Sequence, residues 1–193
     1  MPMAGRGDAA SGEERGRTRG ASQPALRITA LRSPLGEITL ARRERGLIAT
    51  AIGPAGRARI LRRLRETFPG AQILQNPAAF EAEREALRRY LSGELRELDV
   101  EVDWRMVARG SFAHRLLSRV RDIPYGELLT HEELAEELGA RGAARAVERV
   151  LAANPLPIVV PAHRAVETGT GEQKIIVARA LDRALLEIEG ALP

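Results

Sequence analysis

Between Leu26 and Ile52 apolar and polar positions alternate in three short runs. Leu26-Arg-Ile-Thr-Ala30, Glu37-Ile-Thr-Leu-Ala41 and Leu47-Ile-Ala-Thr-Ala-Ile52 follow the period of a β-strand, whose side chains point to opposite faces in turn. Ser33-Pro-Leu-Gly36 and Glu44-Arg-Gly46 separate them with turn-forming residues, so the pattern predicts a three-strand meander. The period then lengthens. Ile60, Leu61 and Leu64 share one face of a helix expected over about 56–67, stopped by Pro69-Gly70. Phe80, Leu87 and Leu91 predict a second over about 78–91, stopped by Ser92-Gly93. The arginines from Arg57 to Arg65 and from Arg84 to Arg89 read as solvated outer faces.

Asp99–Met106 leads into a more helical half. Ser111 is placed to cap a helix over 112–121 that carries Phe112, Leu116, Leu117 and Val120. Ile123-Pro-Tyr-Gly126 is a turn. Thr130 and Glu133 form a capping box that opens a short helix through Leu138, ended by Gly139. After Arg141-Gly142 a helix is expected over 143–153, with Ala144, Val147, Val150 and Leu151 inward. Two short helices across a glycine turn make a helix-turn-helix candidate, a weak signal alone because many helical hairpins bind nothing. Residues 1–25 hold almost no large apolar side chain and are expected to be a disordered basic arm, with Arg6, Arg15, Arg17 and Arg19 in solvent. The expected organisation is an arm at 1–25, an N-terminal domain at 26–105 and a C-terminal domain at 106–193.

Composition narrows the chemistry. The 193 residues are 44% hydrophobic, and no run approaches the roughly 18 apolar residues of a membrane span. The first residues lack the apolar core of a secretory signal, so a cytoplasmic protein without membrane contact is expected. The chain has no cysteine, which excludes disulfides, thiolate chemistry and cysteine-ligated zinc. His114, His131 and His163 have no ligand spacing, and no metal is expected. The net charge of +4 suits a nucleic-acid partner. Yet Lys174 is the one lysine among 30 basic residues, a bias that a GC-rich genome would also produce, so charge alone leaves nucleic-acid binding open.

Residues 158–164 read Ile-Val-Val-Pro-Ala-His-Arg, preceded by Ile123-Pro-Tyr-Gly-Glu127, Ala143-Ala-Arg-Ala-Val147 and Asn154-Pro-Leu-Pro157. This text resembles the O(6)-alkylguanine-DNA alkyltransferases over about residues 26–190, most densely over 123–190. Their Pro-Cys-His-Arg motif carries the thiolate that takes the alkyl group from a flipped base. Ala162 stands at that position, and a methyl group is no nucleophile. The resemblance is therefore to the alkyltransferase-like branch. It implies an α+β chain, with a small α/β (ribonuclease-H-like) N-terminal domain and a helical, winged-helix-like C-terminal domain. It also implies a monomer without a cofactor that binds duplex DNA holding O(6)-alkylguanine and hands it to nucleotide excision repair proteins. On this reading the chain is no enzyme and has no catalytic residue.

Carried over by motif, the lesion pocket is Tyr125, Asn154, Val160, Pro161, Ala162, His163 and Glu189, with Asn154, His163 and Glu189 as a hydrogen-bonded relay. The DNA contacts are Thr130, His131, Ala144, Arg145 and Arg164. Arg145 matches the finger that fills the hole left by a flipped nucleotide, and Arg164 is expected to attract phosphates regardless of sequence. The resemblance breaks at three places. His131 replaces the tyrosine that helps rotate the nucleotide. Ile175-Ile-Val-Ala178 replaces a glycine-rich loop over the flipped base, a stiffer stretch. Glu148 and Arg149 replace small residues on the recognition helix. A DNA alkyltransferase of the same family, and a winged-helix regulator or interaction module without lesion binding, stay open beside the sensor.

Overall fold

The computed structural model describes residues 25–169, 175–177 and 179–192. The three alternating runs form β1 (Leu26–Ser33), β2 (Gly36–Arg43) and β3 (Gly46–Ile52), paired antiparallel in chain order. A short fourth strand, β4 (Ile73–Gln75), adds parallel to β1, so the sheet order is β3-β2-β1-β4. Three residues without clear alternation carry little pattern; β4 is held by pairing with Leu26, Arg27 and Ile28. Gly46 begins β3 at φ +138, and a side chain there would run into the backbone of Glu101. That close approach lets Leu47 exchange backbone hydrogen bonds of 2.8 Å with Glu101 and Asp103, which brings residues 101–103 alongside the sheet.

Alternation alone does not say how many faces of the meander are covered. Strand β3 is buried along Gly46–Ala51. On one side α1 (Gly53–Thr67) covers the sheet, with Ile60 and Leu64 against Ile28, Ile48 and Ala51. On the other side Leu31, Ile38, Leu40 and Leu47 join a larger core with Phe80, Leu87 and Tyr90 of the second helical stretch and with Leu116, Val147 and Leu185 of the C-terminal half. The second helix starts as a 3-10 turn over Pro77–Phe80 and continues as α2 (Glu81–Leu91).

In the C-terminal half α3 (Phe112–Arg121) begins where Ser111 Oγ accepts the His114 amide at 3.1 Å. The capping box is formed: Thr130 Oγ1 accepts the Glu133 amide, and the Glu133 carboxylate accepts the Thr130 amide. The Thr130 amide and hydroxyl, both donated to the Glu133 carboxylate, hold that carboxyl below its usual range. Helix α4 (His131–Glu137) and α5 (Ala144–Ala152) follow, each within a residue of expectation. A second small sheet has the order β5-β6-β7, from β5 (Leu129–Thr130), β6 (Ala165–Thr168) and β7 (Ile175–Ile176). It flanks the helices in winged-helix fashion, and α6 (Ala180–Ile188) closes the fold. Part of the expected covering loop is thus strand: Ile175 and Ile176 pair with Thr168 and Glu167, while Ala178 lies outside the described residues. The expected N-terminal arm, to residue 24, lies outside them too. No helix among the described residues is long and apolar enough to cross a membrane.

Candidate DNA-lesion site

The site is built around a 3-10 turn, Ala162–Arg164, between the loop that follows α5 and strand β6. The loop is stiffened by Pro155, Pro157 and Pro161. Asn154 clamps it by accepting the Leu156 amide at 2.9 Å and donating to the Val160 carbonyl at 3.0 Å. From β3, Thr50 donates its amide to Pro155 O at 2.8 Å and its hydroxyl to Pro157 O at 2.7 Å. Between these anchors Ile158 is buried with φ +75, a left-handed conformation that is rare for a β-branched residue and persists where surrounding contacts impose it.

Two of the three residues of the turn share one buried partner. His163 and Arg164 point inward to Glu189, just after α6. The Arg164 guanidinium grips the carboxylate through Nε at 3.0 Å and Nη2 at 3.0 Å and also donates to Ile123 O. His163 Nε2 lies 2.7 Å from Glu189 Oε1, and the Gly126 amide donates to Oε2 at 3.1 Å. Tyr90 of α2 reaches across from the N-terminal half and donates its hydroxyl to the same carboxylate. Burial alone would raise the Glu189 pKa, but the His163 and Arg164 hydrogen bonds outweigh it and hold it at about 2. A carboxylate only accepts, so the proton between His163 and Glu189 sits on Nε2. Tyr90 is pushed the other way, above the usual phenol range, first by burial and then by the Glu189 charge.

Ala162 is 8% exposed. It lines a cavity of about 190 Å³, bordered by His131 of α4, Glu148 of α5, Glu167 of β6 and Ile176 of β7. A neighbouring cavity of about 110 Å³ reaches toward Asn154 and Pro157. Both are bordered by Arg179 and Asp182, which are paired at 2.7 Å.

The expected residues therefore divide. Ala162, His163, His131 and, through the smaller cavity, Asn154 meet around the open space. Val160 is fully buried and contributes its carbonyl to the Asn154 clamp. Tyr125 and Pro161, expected in the lesion pocket, border a separate cleft of about 370 Å³ with Tyr90 and Arg164. Tyr125 donates to Ile188 O at 2.8 Å and packs edge-on against Tyr90. Arg164, expected to attract phosphates, is 7% exposed and paired with Glu189. Thr130 is occupied by its capping box, Ala144 opens α5, and Arg145 stands exposed on α5 one turn before Glu148. Tyr90 and Asp182 escaped the sequence reading. For Tyr90 a signal existed, since it lies three residues after inward-facing Leu87. For Asp182 there was none. Among the described residues no group of three or more His, Asp or Glu side chains could hold a metal.

Two family models match the chain in order: the ribonuclease-like domain of 6-O-methylguanine DNA methyltransferase over residues 26–104, and its DNA binding domain over residues 111–191. The chain is 39% identical over 137 residues to the methylated-DNA–protein-cysteine methyltransferase of Mycolicibacterium paratuberculosis, covering 69% of this chain and 74% of the relative. It is 36% identical over 162 residues to that of Mycobacterium bovis, covering 81% and 88%. The crystal structure of the Mycobacterium tuberculosis O6-methylguanine methyltransferase superposes with a TM-score of 0.65 at 32% identity, over 87% of this chain and 95% of that one. A Mycobacterium tuberculosis OGT in complex with DNA gives 0.64 at 34%, over 84% and 92%. These relatives overturn the expectation that the chain is no enzyme, because the proteins it resembles are named as methyltransferases. The absence of cysteine removes the acceptor those names specify; it does not show a protein without activity. With both halves matched in order and the relatives covered over most of their length, the chain belongs to the O6-methylguanine DNA methyltransferase family.

Proposed function

We propose that this protein acts on alkylated duplex DNA, receiving a flipped O(6)-alkylguanine in the cavity that Ala162 lines. The observation that carries the reading is the placement of that cavity. It opens between α4, α5 and the β6–β7 hairpin, with His131 and Glu148 at its border and the clamped 154–161 loop behind it. A flipped base leaves its stack at a cost of a few kcal/mol. Arg145, exposed one turn from Glu148, has the planar guanidinium that fills such a gap. The relative solved in complex with DNA supports DNA as the partner. A cytoplasmic monomer that passes the lesion to nucleotide excision repair proteins belongs to the same proposal.

The test is a titration of matched duplexes with and without one O(6)-methylguanine, for the native chain and for Arg145→Ala. The native chain should prefer the lesion, and Arg145→Ala should cut that preference by about 1–3 kcal/mol, the range for a stacking contact to a base. An unchanged preference in the variant, or none in the native chain, would sink lesion recognition and leave a winged-helix DNA-binding module.

A further inference from the structure

A second concave surface lies away from the Ala162 cavity, where the β2–β3 hairpin meets the start of the C-terminal half. Its volume is about 600 Å³, within the range of ligand-sized sites. It is built by the close approach at Gly46, which lays residues 101–103 against β3 and holds Arg45, at the hairpin tip, over the groove. Arg105 and Arg109 come from the segment leading to α3, and His114 from its first turn. Arg45, Arg105 and Arg109 are all exposed. Trp104 borders the groove, half-buried, with its ring 5.4 Å from and edge-on to that of His114.

Beneath the arginines is Asp103. Its side chain is 6% exposed. One oxygen accepts the Arg105 amide at 3.2 Å and lies 3.7 Å from the Arg105 guanidinium. The other, Oδ2, is buried without a hydrogen-bond partner among the described residues. A buried carboxylate oxygen left unpaired carries the cost of its lost hydration, which a donor group would relieve. The Arg105 side chain beside it is 47% exposed. Exposed cations, an indole and an unpaired acceptor within one groove ask for a ligand with negative charge, a flat ring and N–H donors on the ring edge.

We propose that this groove binds an unpaired nucleotide of a nucleic-acid strand, with its phosphate among Arg45, Arg105 and Arg109, its base against Trp104, and a base N–H donated to Asp103. Stacking on aromatic side chains together with phosphate attraction is the usual means of holding single strands, and carboxylates accept from amino groups on base edges. The site is independent of lesion recognition. It would hold a strand whether or not an alkylated guanine occupies the Ala162 cavity.

Trp104 is the chain's single tryptophan, so its emission reports on this groove. The experiment titrates the full chain at low salt with an unmodified single-stranded octadeoxynucleotide, with the blunt duplex of the same sequence, and with inorganic phosphate. The expected result is saturable quenching by the single strand, at least tenfold weaker quenching by the duplex, and none by phosphate at the same concentration. Arg45→Ala with Arg109→Ala, two exposed positions, should weaken the single strand at least tenfold and leave the lesion preference of duplexes unchanged. Asp103→Asn gives an opposed sign: removing a negative charge beside phosphates would tighten binding, unless Asp103 accepts from the base, in which case binding weakens at least threefold. Absent quenching, equal quenching by duplex or phosphate, an unaffected double arginine variant, or tighter binding by Asp103→Asn each overturns the proposal.

Discussion

The two sides of the Ala162–Arg164 turn make opposite use of adjacent residues. Inward, His163 and Arg164 converge on Glu189 with Tyr90, and the relative exposure of the His163, Arg164 and Glu189 side chains is 1%, 8% and 0%. On the cavity side, Ala162 contributes only a methyl group, beside one edge of His163. The inner side is a charge pair whose donors come from both halves of the molecule; the outer side is space kept by the loop. A turn can present an empty, shaped surface when the residues beside it are fastened so firmly that the backbone has no freedom to fill the gap. The comparison also separates stability from recognition: damage to the inner side should appear first as unfolding, and changes on the outer side as altered DNA preference.

The strongest way to break the inner side is Glu189→Gln. It leaves the buried Arg164 guanidinium without its counter-charge, and breaking a buried pair from one side costs about 3–5 kcal/mol. Chemical denaturation should show that loss, with a change in lesion preference that does not exceed what partial unfolding explains. A loss below about 1 kcal/mol would mean that water or another group replaces the carboxylate.

Acid tests the same pair without mutation. The Glu189 carboxyl is held at about 2, against 4.5 without the fold. A depressed carboxyl stabilises the native state above its unfolded pKa and loses that contribution as pH falls toward the folded value. At about 1.4 kcal/mol per unit the contribution is roughly 3 kcal/mol. Stability should therefore decline between about pH 5 and pH 2, and Glu189→Gln should flatten much of that decline. An equally steep decline in the variant would place the acid sensitivity elsewhere.

Tyr90→Phe is subtler. It keeps the ring that packs edge-on against Tyr125 and removes only the hydroxyl donated to Glu189. A hydrogen bond to a charged group contributes about 1.5–3 kcal/mol, and a loss near the middle of that range is expected on denaturation. Since Tyr90 belongs to the N-terminal half, the loss should also make the two halves unfold less cooperatively.

The smallest effect on stability belongs to the outer side. Ala162→Leu adds bulk at the edge of an open cavity and should cost about 1 kcal/mol of stability, the low end for overfilling. It should still abolish the preference for duplexes with O(6)-methylguanine while leaving affinity for plain duplex intact. Retained preference in that variant would move the lesion out of this cavity.

Much of the chain could be read before folding because its information is local. The capping box at Thr130 and Glu133, the Ser111 cap and the alternation of β1–β3 depend on residues a few positions apart, and each stands where the pattern put it. The resemblance joined His163 and Glu189 in a hydrogen-bonded relay, and the two side chains lie 2.7 Å apart. What the pattern could not decide depends on partners far away in the chain. Burial of β3 on both faces required the C-terminal half to pack there, through Thr50 and the prolines of the 154–161 loop. Strand β4 exists through its pairing with β1 rather than through its own three residues. Arg164 reads as one more exposed arginine in an arginine-rich chain, and only the position of Glu189, 25 residues on, turns it into a buried structural charge. Tyr90 is separated from His163 by 73 residues and from Glu189 by 99. Local spacing fixes helices, turns and caps because their hydrogen bonds close over a few residues. Which side chains share a carboxylate, and which border a cavity, is set by how whole elements pack, and only the tertiary structure decides that.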